Sequence, residues 1–120
     1  MIKRILILDD DQDILDVVSY ILMESGYEVE TLSTGEEIFG VIRQFNPDLV
    51  LMDVMLADMD GRLICRDLKA GLSTNHIPVI LISGTHDLAQ SLNRQGAPND
   101  FIPKPFDLEN LLSKIKEQLQ

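Results

Sequence analysis

Apolar residues along the chain follow two spacings. Ile5 to Leu8, Leu49 to Met52 and Val79 to Ile82 are uninterrupted runs, as expected of strands covered on both faces. Glu28-Val29-Glu30-Thr31-Leu32 alternates instead, the pattern of a half-exposed edge strand. Asp100-Phe101-Ile102 is short and weak and reads as the other edge. The segments between them have helical period. Ile14, Val17, Val18, Ile21 and Leu22 form an apolar stripe that Gly26 is placed to end. Thr34-Gly35-Glu36-Glu37 matches a capping box, with Thr34 as N-cap and Glu37 reaching back. Ile38, Val41, Ile42 and Phe45 then repeat until Pro47 stops the helix. Asp60 is predicted to cap a third helix carrying Ile64, Leu68 and Leu72. A short fourth helix is predicted near Asp87 to Arg94. Asp107 is predicted to cap the last, whose stripe is Leu108, Leu111, Leu112, Ile115 and Leu119.

This alternation predicts βα units around a parallel sheet. With the second and fifth strands outside, the expected fold is a flavodoxin-like, doubly wound (βα)5 α/β domain with strand order 2-1-3-4-5. Right-handed crossovers then bring all strand C-termini to one edge. The chain has 120 residues, with no repeat or Pro/Ser-rich linker, so residues 1–120 are read as one domain. Cys65 is the single cysteine, which excludes an internal disulfide and fits a reducing, cytoplasmic setting. On a helix beside an apolar stripe it reads as a small core residue rather than a reactive thiol. The apolar run after Arg4 is too short for a signal peptide or a membrane span. The net charge is −10, from 20 acidic and 10 basic side chains. Binding nucleic acid needs cations that displace counterions, so direct contact with it is not expected.

The chemistry gathers where the fold places ligands, beyond the strand ends. Asp9-Asp10-Asp11 follow the first strand, Asp53 the third, Ser83 the fourth and Lys104 the fifth. Two carboxylates about 4 Å apart at an effective dielectric near 20 repel by roughly 4 kcal/mol. A hard divalent cation removes that penalty, and magnesium suits one or two carboxylates with phosphate and water. Asp9 and Asp10, directly at the strand end, are the candidate metal ligands. Asp11 and Asp13 read as caps of the first helix or as solvated acids. Asp53 ends a run with no other polar group, so it is a nucleophile, a metal ligand or a cap; a carboxylate there can form an acyl phosphate. Lys104 supplies a mobile charge for phosphoryl oxygens and Ser83 one hydrogen bond. Lys104 lies between Pro103 and Pro105, and the Lys104–Pro105 bond is a candidate for the cis form.

The chain resembles the receiver domains of two-component response regulators. The resemblance rests on Ile5-Leu6-Ile7-Leu8-Asp9-Asp10-Asp11, Pro47-Asp48-Leu49-Val50-Leu51-Met52-Asp53 and Met59-Asp60-Gly61. It continues in Pro78-Val79-Ile80-Leu81-Ile82-Ser83, Gly96-Ala97 and Lys104-Pro105-Phe106. It implies that Asp53 takes phosphate from a phosphohistidine on a sensor kinase or phosphotransfer protein. It also implies that Asp9, Asp10, Asp53 and the Met55 backbone carbonyl surround Mg2+, directly or through water. Ser83 and Lys104 would contact the phosphoryl group, and Phe101 would follow Ser83 as a conformational switch. Such a domain is a phosphoacceptor rather than an enzyme. Its downstream partner is another protein or an output domain, and phosphorylation-dependent pairing of two copies is a family habit. Ala57 departs from the usual proline. The segment from Ser83 to Gly96 is shorter than in relatives and Ala97 to Asp100 longer, which leaves partner choice by that surface open. Met55 and Thr85 stand where relatives tune acyl-phosphate hydrolysis. Met55 cannot orient a water, so a long-lived phosphoryl group is expected.

Rival readings fit less well. A haloacid-dehalogenase-like phosphatase needs a second aspartate two residues after the nucleophile, where Met55 stands. A nucleotide site needs glycines and free amides after the first strand, where five residues include four acids, Asp9, Asp10, Asp11 and Asp13. A receiver-like interaction module that takes no phosphate is the remaining alternative. His76 and His86 lack further ligands at metal spacing and read as surface residues. Gly61 and Gly96 read as turn or helix-end residues.

Overall fold

The computed structural model describes residues 1–84, 96–104 and 107–120. Five strands, β1 (Arg4–Leu8), β2 (Glu28–Leu32), β3 (Leu49–Asp53), β4 (Val79–Ser83) and β5 (Asp100–Pro103), form one sheet in the order β2-β1-β3-β4-β5. Every neighbouring pair is parallel. This is the flavodoxin-like order expected from the sequence. Four helices accompany it among the described residues: α1 (Gln12–Glu24), α2 (Ile38–Phe45), α3 (Gly61–Ala70) and α4 (Leu108–Gln118). The helix expected near Asp87 to Arg94 lies outside the described residues, as do Thr85, His86 and the Lys104–Pro105 bond.

The three apolar runs are buried on both faces because successive strand residues point to opposite sides. Ile5, Ile7, Leu49, Leu51, Ile80 and Ile82 pack with Leu15, Val18 and Leu22 of α1 and with Leu111 and Ile115 of α4. Leu6, Leu8, Val50, Met52 and Leu81 pack with Ile38 and Ile42 of α2 and with Ile64, Cys65 and Leu68 of α3. Each such side chain contributes roughly 1.5–3 kcal/mol of burial energy. The sheet therefore separates two cores, and its tips are held from both sides. Cys65 is fully buried, and burial pushes its thiol up to about 11, in line with a packing role.

Asp11, Asp60 and Asp107 cap α1, α3 and α4, each accepting from an amide two residues on. At the end of α1, Gly26 has φ 96°. Its amide and that of Tyr27 return to the carbonyls of Met23 and Leu22, the closure expected of a left-handed residue after a helix.

Several expectations about the helices need correction. The capping box does not form: α2 starts at Ile38 with Glu37 as N-cap and no side-chain cap bond. The Gly35 amide, which the capping box would have left without a partner, is taken by the Asp58 carboxylate, at 3.1 and 3.3 Å. On α1, Leu15 is buried while Val17 is 53% exposed, because the inward face runs through Leu15, Val18 and Leu22 at helical spacing and Val17 falls off it. Leu72 lies beyond the end of α3, which stops at Ala70, and is 95% exposed. Leu108, at the first turn of α4, is also exposed.

Candidate functional site

The site forms where β1, β3, β4 and β5 end. Asp9 follows β1 and stays in register with β2, its amide donating to the Leu32 carbonyl at 3.1 Å. Asp9 Oδ1 accepts from the Asp11 amide at 2.9 Å, and Asp11 in turn caps α1. That leaves Asp9 Oδ2 buried with no hydrogen-bond partner. Asp53 is the last residue of β3 and is 4% exposed. Its Oδ1 accepts from the Met55 amide at 3.2 Å and its Oδ2 from the Lys104 ammonium at 3.1 Å. The same ammonium lies 3.7 Å from Asp9 Oδ2. The Lys104 amide donates to the Ser83 carbonyl at 2.8 Å, so the tip of β4 sets where Lys104 begins.

One carboxylate oxygen from each of Asp9, Asp10 and Asp53 lies within 4.8 Å of the others. Asp9 and Asp53 are buried and Asp10 is exposed, so the group opens to solvent on one side. Ser83 is fully buried. Phe101, on β5 opposite Leu81, is half-buried against the core that faces α2 and α3. The Met55 side chain is 66% exposed and its backbone pairs with Asp60. The Gly61 amide donates to Val54 at 2.8 Å, closing the 54–60 loop. A Cβ at Gly61 would collide with the Asp53 carbonyl and reach Val54 Cα at 3.0 Å, so only glycine lets α3 start this close to the phosphoacceptor candidate.

Burial raises the Asp9 carboxyl above its usual range; the Asp11 amide partly offsets this, and the Asp53 charge adds to it. Burial alone would lower Lys104, but the hydrogen bond and charge of Asp53, together with Asp9, raise it overall. Lys104 is thus a fixed cation. Three close carboxylates face one ammonium, and an orphaned buried oxygen points at the shared space. An all-oxygen donor set with surplus negative charge fits a hard divalent cation of the magnesium type. The Cys65 thiol and the exposed His76 stand apart from it.

The sequence matches the response regulator receiver domain family over residues 5–116. This chain belongs to that family.

Among similar proteins, the receiver is 33% identical over 118 residues to the DNA-binding dual master transcriptional regulator RpaA of Synechocystis. The match covers 98% of this chain and 49% of RpaA. It spans about half the length of the curated relatives it matches. A CheY-like receiver domain protein from Methanospirillum hungatei superposes with TM-score 0.88 at 36% identity, covering 99% of this chain and 94% of that one. TrrA from Thermotoga maritima, solved in complex with Mg2+–BeF, superposes with TM-score 0.86 at 27% identity, covering 98% and 100%.

The receiver gathers Asp9, Asp10, Asp53 and Lys104 into one pocket, with Ser83 at the adjoining strand tip. Sequence reasoning passed over Asp58. Its partner is a backbone amide, and nothing in the local sequence marks which loop a surface carboxylate will meet.

Proposed function

We propose that Asp53 accepts a phosphoryl group from the phosphohistidine of a sensor histidine kinase or phosphotransfer protein. The observation that carries this is the Lys104 ammonium 3.1 Å from Asp53 Oδ2, beside the acidic cluster. A carboxylate oxygen of Asp53 forms the new O–P bond as the N–P bond of the donor breaks, and the departing imidazole takes a proton from solvent. Lys104 holds the incoming phosphoryl oxygens as a point charge, and the buried Ser83 offers its hydroxyl to them. Asp9, Asp10, Asp53 and the Met55 carbonyl would hold Mg2+, which, when bound, neutralises developing charge on the phosphoryl oxygens. Phosphoryl contact by Ser83 frees space beside β4, and Phe101 moves inward in response. TrrA, bound to Mg2+–BeF, lends support by kinship.

On this reading the chain turns over no external substrate. Its reactions are transfer onto Asp53 and hydrolysis from it. The signal passes to a downstream protein or to an output domain such as the DNA-binding regulators among its relatives carry, with a phosphorylated homodimer as one form. No described helix is long and apolar enough to cross a membrane, and the work is cytoplasmic. Incubation with acetyl phosphate and Mg2+, followed by intact mass analysis, tests the proposal. Wild type should gain one phosphoryl adduct and Asp53→Asn none. A wild-type protein that stays unmodified would favour a phosphate-independent interaction module.

A further inference from the structure

The 54–60 loop carries the Met55 amide that holds Asp53 Oδ1. Its base is fixed three times over: Val54 donates to Ile82, Gly61 donates to Val54, and Met55 pairs with Asp60. Leu56 anchors its middle in the core that faces α2 and α3. At its tip the Asp58 side chain reaches across to the loop before α2. Both carboxylate oxygens of Asp58 lie within hydrogen-bond reach of the Gly35 amide, at 3.1 and 3.3 Å. Gly35 is buried, and a Cβ there would meet Ile64 Cδ1 at 2.7 Å and Met59 Sδ at 3.0 Å. The loop between β2 and α2 is therefore pressed against the 54–60 loop and α3 at this point. Asp58 is itself exposed, so its carboxylate is spent on an amide rather than on packing.

We infer that Asp58 is a positioning residue for the phosphoacceptor, acting through this latch. By tying the loop tip to Gly35 it limits the excursions of Met55, whose amide sets the rotation of the Asp53 carboxylate. The Asp53 oxygen bonded to Lys104 then faces the incoming phosphorus without rearrangement. Latching needs only an acceptor at position 58, not a negative charge. This inference rests on the proposal that Asp53 is phosphorylated.

Its test compares wild type, Asp58→Ala and Asp58→Asn for two readouts. One is the rate of adduct formation from acetyl phosphate at saturating Mg2+, and the other is amide hydrogen exchange at Gly35 and Met55 without metal. Asp58→Ala should exchange both amides at least tenfold faster and phosphorylate at least fivefold more slowly. Asp58→Asn, still able to accept from Gly35, should stay within twofold on both. If Asp58→Ala fails to fold, Asp58→Ser, whose oxygen is too short to span the gap, takes its place. Equal rates for the truncated variant and wild type overturn the inference, and so does an Asn variant as slow as Ala. Failure of wild type to take phosphate would instead sink the underlying proposal, and the exchange data distinguish the two cases.

Discussion

The Lys104 ammonium donates to Asp53 Oδ2 at 3.1 Å across 51 positions of sequence. Lys104 is 27% and Asp53 5% exposed at the side chain, and Asp9 Oδ2 stands 3.7 Å from the same nitrogen. One cation therefore compensates two buried carboxylates.

Replacing that cation should be felt before any chemistry occurs. Lys104→Met leaves both carboxylates buried without their charge partner, a loss of about 1–3 kcal/mol in the metal-free protein. Urea unfolding with EDTA and with Mg2+ should show the deficit shrinking in the metal's presence. Phosphorylation by a small donor should fall on the order of 100-fold.

Asp53→Asn should do the reverse to stability. It removes one of three close negative charges, so metal-free thermal stability should rise by about 1 kcal/mol. The gain from added Mg2+ should be smaller than in wild type. Calorimetry at matched pH reads both effects.

The pH dependence follows from Asp9. Its carboxyl is raised in the folded state, chiefly by burial, so the folded protein binds this proton more tightly than the unfolded chain does. The cost is absent below the unfolded value near 3.8. It grows as pH rises through the window up to the shifted value and is fully present above it. Metal-free stability should carry this downward component with rising pH, and Asp9→Asn should remove it. Asp60 is lowered, chiefly by Arg62. Its contribution has the opposite sign: present above 3.8 and lost as pH falls through its own lower value. Lys104 is raised above 10.5, so its stabilisation is complete below 10.5 and disappears as pH rises through the shifted value.

Gly61→Ala should damage fold and site together. Its Cβ would strike the backbone of Asp53 and Val54, neither of which is a flexible chain end, so a loss of roughly 1–3 kcal/mol is expected. Because the displaced backbone belongs to the proposed phosphoacceptor, adduct formation should slow by more than the stability loss explains. Comparing rates at temperatures where both proteins are fully folded checks this.

The lifetime of the acyl phosphate should be long. Met55 points into solvent and has no donor or acceptor able to orient an attacking water. Adduct decay followed by mass analysis should take minutes or longer, and Met55→Asn should shorten it. Decay of wild type within seconds would count against this.

Much of this architecture was legible because parallel strands buried on two faces write themselves as unbroken apolar runs. Asp53 stood out as a charge closing such a run, and Asp11, Asp60 and Asp107 as caps, because each acts on its immediate neighbours. What local pattern missed was decided at a distance. Thr34 satisfies the rule for a helix start, yet Asp58 takes the Gly35 amide and α2 begins at Ile38. Val17 and Leu15 are both apolar, and only the way α1 is turned against the sheet chooses between them. Leu72 fits the period of α3 and falls past its end. The convergence of Asp9, Asp53 and Lys104 was inferable from crossover handedness, but the 3.7 Å approach that leaves Asp9 Oδ2 without a hydrogen bond was not.

The strand order has a mechanical corollary. Asp9 and Asp53 sit at the tips of β1 and β3, interior strands clamped by hydrogen-bonded neighbours on both sides. Lys104 follows β5, which has a neighbour on one side only. The anionic half of the pocket is thus mounted on doubly paired strands and the cationic half beside an edge strand. A guest pulling on the ammonium would therefore load the edge of the sheet rather than its middle.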